Sequence, residues 1–108
     1  MSRVKIGQAG LGYWGKNLAR NFDDLADLRW LCDERPEVRA EFAERYPNAR
    51  VAGYFAEMLA DDELDAVVIA TAHSGIDYAA VVEGAPLVVD LRNAIARRGI
   101  ESDKVWKL

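Results

Sequence analysis

The sequence predicts an α/β protein built on one doubly wound parallel sheet, and three observations carry that expectation. Short β-rich apolar runs alternate with segments of helical spacing along the whole chain. The run Asp65-Ala-Val-Val-Ile-Ala-Thr71 is continuously apolar, as a parallel strand covered on both faces must be. Finally, Gly10-Leu-Gly12-Tyr-Trp-Gly15 lies between the strand-like Val4-Lys-Ile6-Gly-Gln and the helically spaced Lys16-Asn-Leu18-Ala-Arg-Asn-Phe22. Right-handed crossovers then give five to six strands in the order 3-2-1-4-5-6, with the sixth at the edge. This is the Rossmann arrangement.

Each element has a local reason. Strands are expected near residues 3–8, 27–32, 50–53, 65–71, 86–91 and 104–108. Pro36 suits the first turn of a helix whose Val38, Phe42 and Tyr46 repeat on one face, and Pro47 stops it. Phe55 and Leu59 face the sheet from a shorter helix that runs into the acidic stretch Asp61-Asp-Glu63. Ser74-Gly-Ile-Asp77 has the form of a capping box, with Asp77 in the usual glutamate position, and opens a helix ended by Gly84 and Pro86.

Composition bounds the rest. A chain of 108 residues suits one domain spanning 1–108, and 51% hydrophobic residues suffice for a core. A net charge of −4 argues against a nucleic-acid or anionic-membrane surface. The single cysteine, Cys32, excludes an intramolecular disulfide and suits a reducing cytoplasm; inside an apolar strand it reads as a buried thiol. No signal peptide and no membrane span of ~20 apolar residues are expected. With one histidine and no cysteine cluster, no metal site is expected.

The glycine segment points to a dinucleotide, because each part has a physical job. Gly10 permits the tight turn, Gly12 lets the backbone approach a pyrophosphate, and Gly15 lets helix and strand pack closely. The helix N-terminus offers free N–H groups to phosphate. Asp33, eighteen residues past Gly15 at the end of Leu28-Arg-Trp-Leu-Cys32, stands where a carboxylate would accept ribose hydroxyls. It would otherwise cap the helix that follows. A carboxylate facing a doubly charged phosphate at ~4 Å and an effective dielectric of ~20 costs several kcal/mol, so NAD is favoured over NADP, although Arg35 offsets part of that repulsion.

Other residues have two readings. Gln8, polar in the first strand, is either a satisfied core amide or a sign of altered packing. Tyr13 and Trp14 would cover a cofactor or face a partner. His73 follows the fourth strand and reads more as a loop hydrogen-bond donor than as a catalyst. Asp90, Arg92 and Asn93 form either a polar ligand cluster or a structural ion pair with caps at the strand end. Trp106 lies on the expected edge strand, whose free edge would serve packing or a dimer.

Over residues 3–72 the glycine segment, the Cys32-Asp33 strand end and Leu59-Ala-Asp-Asp-Glu-Leu-Asp-Ala-Val-Val-Ile-Ala-Thr71 resemble the N-terminal domain of Gfo/Idh/MocA oxidoreductases. The resemblance implies NAD or NADP binding and hydride transfer to or from a sugar or cyclitol. It implies that Gly10, Gly12, Tyr13, Trp14 and Gly15 line the pyrophosphate and that Asp33 takes the adenosine ribose. Thr71, Ala72 and His73 would approach the nicotinamide. Where that family has Glu-Lys-Pro after the fifth strand, this chain reads Asp90-Leu91-Arg92, with Leu91 at the lysine position. Residues 66–108, with Asp90-Leu-Arg-Asn93 as their most specific piece, resemble the end of UDP-glucose and UDP-mannose dehydrogenases.

The sequence therefore predicts an NAD-binding Rossmann domain related to oxidoreductases. It lacks the resembled substrate domain and lysine, so independent turnover is not expected, and His73 is the weak local candidate for proton transfer. A separate catalytic subunit or a homodimer through the edge strand would be the partner. The rival readings are a non-catalytic scaffold, natural remnant or engineered chimera, and a UDP-sugar-binding module.

Overall fold

The computed structural model describes residues 3–70, 77–92, 95, 97, 99–100 and 102–107, with backbone alone for Tyr13, Trp14 and Lys107. Six strands form one sheet: β1 (Lys5–Ala9), β2 (Asp27–Cys32), β3 (Arg50–Ala52), β4 (Ala66–Ile69), β5 (Val88–Asp90) and β6 (Val105–Lys107). Their order is β3-β2-β1-β4-β5-β6, and every pairing is parallel. The helices are α1 (Tyr13–Leu25), α2 (Pro36–Arg45), α3 (Phe55–Leu59) and α4 (Tyr78–Gly84). The predicted strand order is the observed one.

Both faces of the sheet are covered, which is why β4 reads as unbroken Ala-Val-Val-Ile. On one face Val67, Ile69, Val88, Trp30 and Cys32 pack with Met58 of α3 and Val81 of α4. Across the sheet, Leu28 and Leu31 pack with Ala19 of α1 and Phe42 and Tyr46 of the second helical segment. Side chains on a strand alternate with a period of two, so Leu28 and Leu31 should lie on opposite faces. They share one because β2 carries a bulge: Ile6 pairs with Leu28, Gly7 with Trp30, and Arg29 is the extra residue. The Arg29 guanidinium is held by Asp61 at 3.3 Å and Glu63 at 3.1 Å. The acidic stretch that follows α3 therefore has a partner. Asp61 also accepts from the Trp30 indole N–H at 2.8 Å, which with the Arg29 contact holds its carboxyl below the usual range against the opposing effect of burial.

One local expectation needs correction and another an addition. The capping box places Asp77 inside the first helical turn, but α4 starts at Tyr78 and Asp77 is itself the N-cap. Its carboxylate reaches the N–H of Ala80 at 3.1 Å, the standard work of an aspartate at that position; Ser74 lies outside the described residues. In α3 Phe55 and Leu59 pack against the sheet-side core as expected, and the deeper side chain between them is Met58, fully buried. The flexible thioether can reach the backbone of Gly7, where even a Cβ would come within 2.6 Å of its sulfur.

The Phe42 ring is fully buried and lies 6.0 Å from the ring of Tyr46. Phe42→Ala should cost about 3–5 kcal/mol. Urea unfolding should show this as a lower midpoint at an unchanged slope.

Candidate functional site

The carboxyl ends of β1, β2 and β4 are tied into one platform. Ala70 donates its N–H to Ala9 O at 2.9 Å, and Gly10 donates to Cys32 O at 2.8 Å. From this platform the chain turns sharply at Gly10, whose φ of +97° is open to glycine and strained for other residues. Gly12 is the N-cap of α1 in extended conformation, and its carbonyl accepts the first helical bond from Lys16 at 3.1 Å. No side chain caps α1 and no acidic residue stands in its first turn. The N–H groups at the start of this 13-residue helix thus meet no side-chain acceptor at the cap, the condition under which a helix end attracts phosphate.

Gly15 lies in the first turn of α1, pressed onto the loop that precedes it. A Cβ there would lie 2.7 Å from Gly10 O and 3.2 Å from Gln8 Nε2. Two of the three glycines thus meet the steric demand their spacing predicts: Gly10 turns the chain and Gly15 permits the close approach. Tyr13 and Trp14 contribute backbone to the first turn, and their side chains lie outside the described residues.

Gln8 proves to be part of this loop. It is fully buried, and its amide nitrogen donates to Gly10 O at 3.1 Å and Gly15 O at 2.9 Å. One side chain thereby fastens the first glycine of the motif to the last. Its Oε1 has no partner among the described residues, which costs about 1–3 kcal/mol for a buried acceptor. Of the two readings of Gln8, the satisfied core amide holds for the nitrogen alone.

Asp33 joins the loop to the next crossover. Its side chain is buried, and its Oδ2 accepts from the Leu11 N–H at 3.0 Å, so the acid and the glycine loop are directly bonded. Arg35 holds the same carboxylate three times: its backbone N–H at 2.9 Å and Nε at 3.0 Å reach Oδ1, and Nη2 reaches Oδ2 at 3.0 Å. Burial pushes the Asp33 pKa up, but the bonds from Arg35 and Leu11 outweigh it and hold the carboxyl below its usual range. Asp33 does not cap α2, whose N-cap is Arg35. Arg39, which the sequence reading passed over, donates Nη1 to the Asp33 carbonyl at 2.9 Å, and its guanidinium lies against Gly53, where a Cβ would be 3.0 Å away. The four-residue step from Arg35 to Arg39 on one helix face was the available signal. Leu11, which acts through its N–H, left none.

The neighbouring thiol is inert. Burial, with Asp33 and Glu57 nearby, pushes Cys32 up to about 12. Thr71, Ala72, His73 and Asn93 lie outside the described residues. Asp90 is buried and caps the turn after β5, accepting from the N–H groups of Arg92 at 3.1 Å and Ile95 at 2.9 Å. These bonds match the capping part of the structural reading of Asp90. Leu91 packs beside Ile6, Ala26 and Val68. Among the described residues no group of three acidic, histidine or cysteine side chains could hold a metal, and no helix is long and apolar enough to cross a membrane.

A parallel sheet in this order, with a glycine turn and an acid bonded together at its carboxyl edge, defines the class: a Rossmann-type α/β fold. Known proteins agree. The chain is similar to GenD2 from gentamicin A biosynthesis, solved in complex with NAD: TM-score 0.76, 26% identity, 99% of this chain and 34% of GenD2. The WlbA dehydrogenase from Bordetella pertussis, solved with NADH and UDP-GlcNAcA, matches at TM-score 0.70 and 26% identity over 85% of this chain and 29% of WlbA. An uncharacterized oxidoreductase of Streptococcus pneumoniae is 39% identical over 70 residues, which is 63% of this chain and 18% of that protein. No protein-family model matches. The chain thus spans about a third of each of these two solved proteins, and the GenD2 likeness covers 99% of this chain.

Two outcomes follow from this geometry. Gly15→Ala gains up to ~1 kcal/mol of helix propensity but drives a methyl into backbone, an overpacking cost of about 1–3 kcal/mol, so thermal melts should show net destabilisation. Asp33→Asn should be less stable than wild type by about 1–3 kcal/mol at neutral pH. The folded-state pKa of Asp33 is depressed, so its contribution is full above the ordinary value of 3.8 and is lost as pH falls through the folded value. The gap between wild type and variant, measured by chemical unfolding, should close on acidification below that value.

Proposed function

We propose that this chain binds NAD and supplies the cofactor half of a dehydrogenase reaction. The observation that carries the reading is the bond from Leu11 N–H to Asp33, which fixes the glycine turn and the acid as one recognition unit at the sheet's carboxyl edge. In this reading the pyrophosphate sits over Gly10, Gly12 and Gly15 against the N-terminus of α1. Asp33 takes the adenosine ribose, and the segment Thr71-Ala72-His73 meets the nicotinamide side. Solved neighbours that carry NAD or NADH support NAD as the cofactor.

Bound NAD supplies hydride transfer. The chain's own residues hold and orient it, and they exclude NADP in part through the charge of Asp33. Turnover further needs a substrate held at the nicotinamide and a group that moves the hydroxyl proton. We assign neither to a described residue: Leu91 is apolar and packed, and Asp90 is engaged in a turn. The substrate in this proposal is a sugar-like or cyclitol alcohol, held together with its proton-transfer group by protein outside the described residues. A separate subunit or a second copy would meet the chain at the edge strand β6, where Trp106 is 67% exposed. The reducing cytoplasm is the proposed setting.

Calorimetric titration with NADH, NADPH and UDP-glucose tests the reading. NADH should bind more tightly than NADPH, Gly12→Val should abolish binding, and Asp33→Ala should weaken it about tenfold or more, the loss of a charged hydrogen-bond acceptor. Heat with UDP-glucose alone would establish the UDP-sugar module instead. Silence with all three would leave a non-catalytic scaffold.

A further inference from the structure

A carboxylate offers two oxygens and about four lone-pair sites. In Asp33 four donors already fill them: Leu11 N–H, Arg35 N–H, Arg35 Nε and Arg35 Nη2, at 2.9–3.0 Å. Two of the four are backbone groups fixed by the loop and by the start of α2. The other two belong to a single guanidinium, and its side chain is 44% exposed while that of Asp33 is fully buried. The carboxylate cannot leave its place; the guanidinium can. A ribose diol brings two O–H donors, the number that the guanidinium occupies.

We propose that Arg35 is a built-in competitor for the ribose-binding carboxylate. Its guanidinium covers the acceptor positions of Asp33 that a ribose diol would take, swings off when NAD seats, and in doing so becomes available to a 2′-phosphate. The inference rests on the assignment of Asp33 to the ribose and adds a determinant of cofactor preference to it. Displacement breaks a bidentate charge-assisted pair, so part of the binding energy of NAD is used to open the site. NADP is treated differently. Its phosphate repels Asp33 but gives the displaced guanidinium a new bidentate partner, while Arg39 stays on the Asp33 carbonyl at 2.9 Å. Arg35 thus lowers affinity for the one cofactor and raises it for the other, so the preference for NAD is narrower than Asp33 alone would set.

The test is a pair of variants of the full chain, Arg35→Ala and Arg35→Met, each titrated with NADH and NADPH by calorimetry. NADH should bind about three- to tenfold more tightly than to wild type, the scale of one half-exposed ion pair, while NADPH weakens. Opposite signs for the two nucleotides are the signature of competition. A merely structural arginine would weaken both together, and that result in folded variants, or unchanged NADH affinity, overturns the inference while leaving NADH binding to wild type intact. Absence of NADH binding to wild type and variants alike overturns the cofactor assignment itself, and the inference with it. Should both variants fail to fold, the Arg35 Nε–H resonance of wild type decides. It should be protected from exchange in the free protein and lose that protection at saturating NADH; protection unchanged by NADH overturns the proposal.

Discussion

The close approach of Gly15 to Gly10 is the constraint from which the rest of this end of the molecule follows. With no Cβ at Gly15, the first turn of α1 rests on the carbonyl of Gly10, and that contact sets where the helix points. The same approach brings two carbonyls, of Gly10 and Gly15, within reach of one amide group, and Gln8 takes both. It also presents Leu11 N–H to Asp33, so the loop after β1 and the turn after β2 become a single hydrogen-bonded unit. Any larger side chain at Gly15 would separate these groups together.

The architecture was legible because its causes are local and repeated. Parallel strands covered on both faces must be apolar throughout, and Ala66–Ile69 announces itself for that reason. Pro36 at the start of α2 and Pro47 after its end bracket a helix whose buried Phe42 and Tyr46 were visible in the spacing. Gly10 and Gly15 were legible for a different reason, since the positive φ of one and the close contact of the other are steric requirements that few other residues meet.

What escaped the sequence depends on contacts between distant parts or on competition between neighbours. The bond from Trp30 to Asp61 joins residues 31 apart, and nothing near either residue marks the other. Gln8 is a polar residue among apolar ones until the loop folds back over it. Asp77 could occupy either of two roles in a capping motif, and the choice fell to the one that lets its carboxylate reach Ala80. The clamp of Arg35 on Asp33 was within sequence reach, because a two-residue step allows a guanidinium to fold back on a carboxylate. Arg35 instead read as a partner for phosphate.

The bulge at Arg29 bears on how motif spacing should be understood. The eighteen steps from Gly15 to Asp33 measure contour along the chain, and one of them adds nothing to the distance travelled along the sheet. That unproductive step sets the parity of the strand that follows: with it Trp30 and Cys32 point toward α3 and α4, and the chain reaches Asp33 turned toward the loop. A relative whose second strand ran straight would need one residue fewer to deliver its acid to the same spot. Two proteins with different counts between glycine and acid can therefore share one geometry, and two with equal counts can differ by half a turn of the strand.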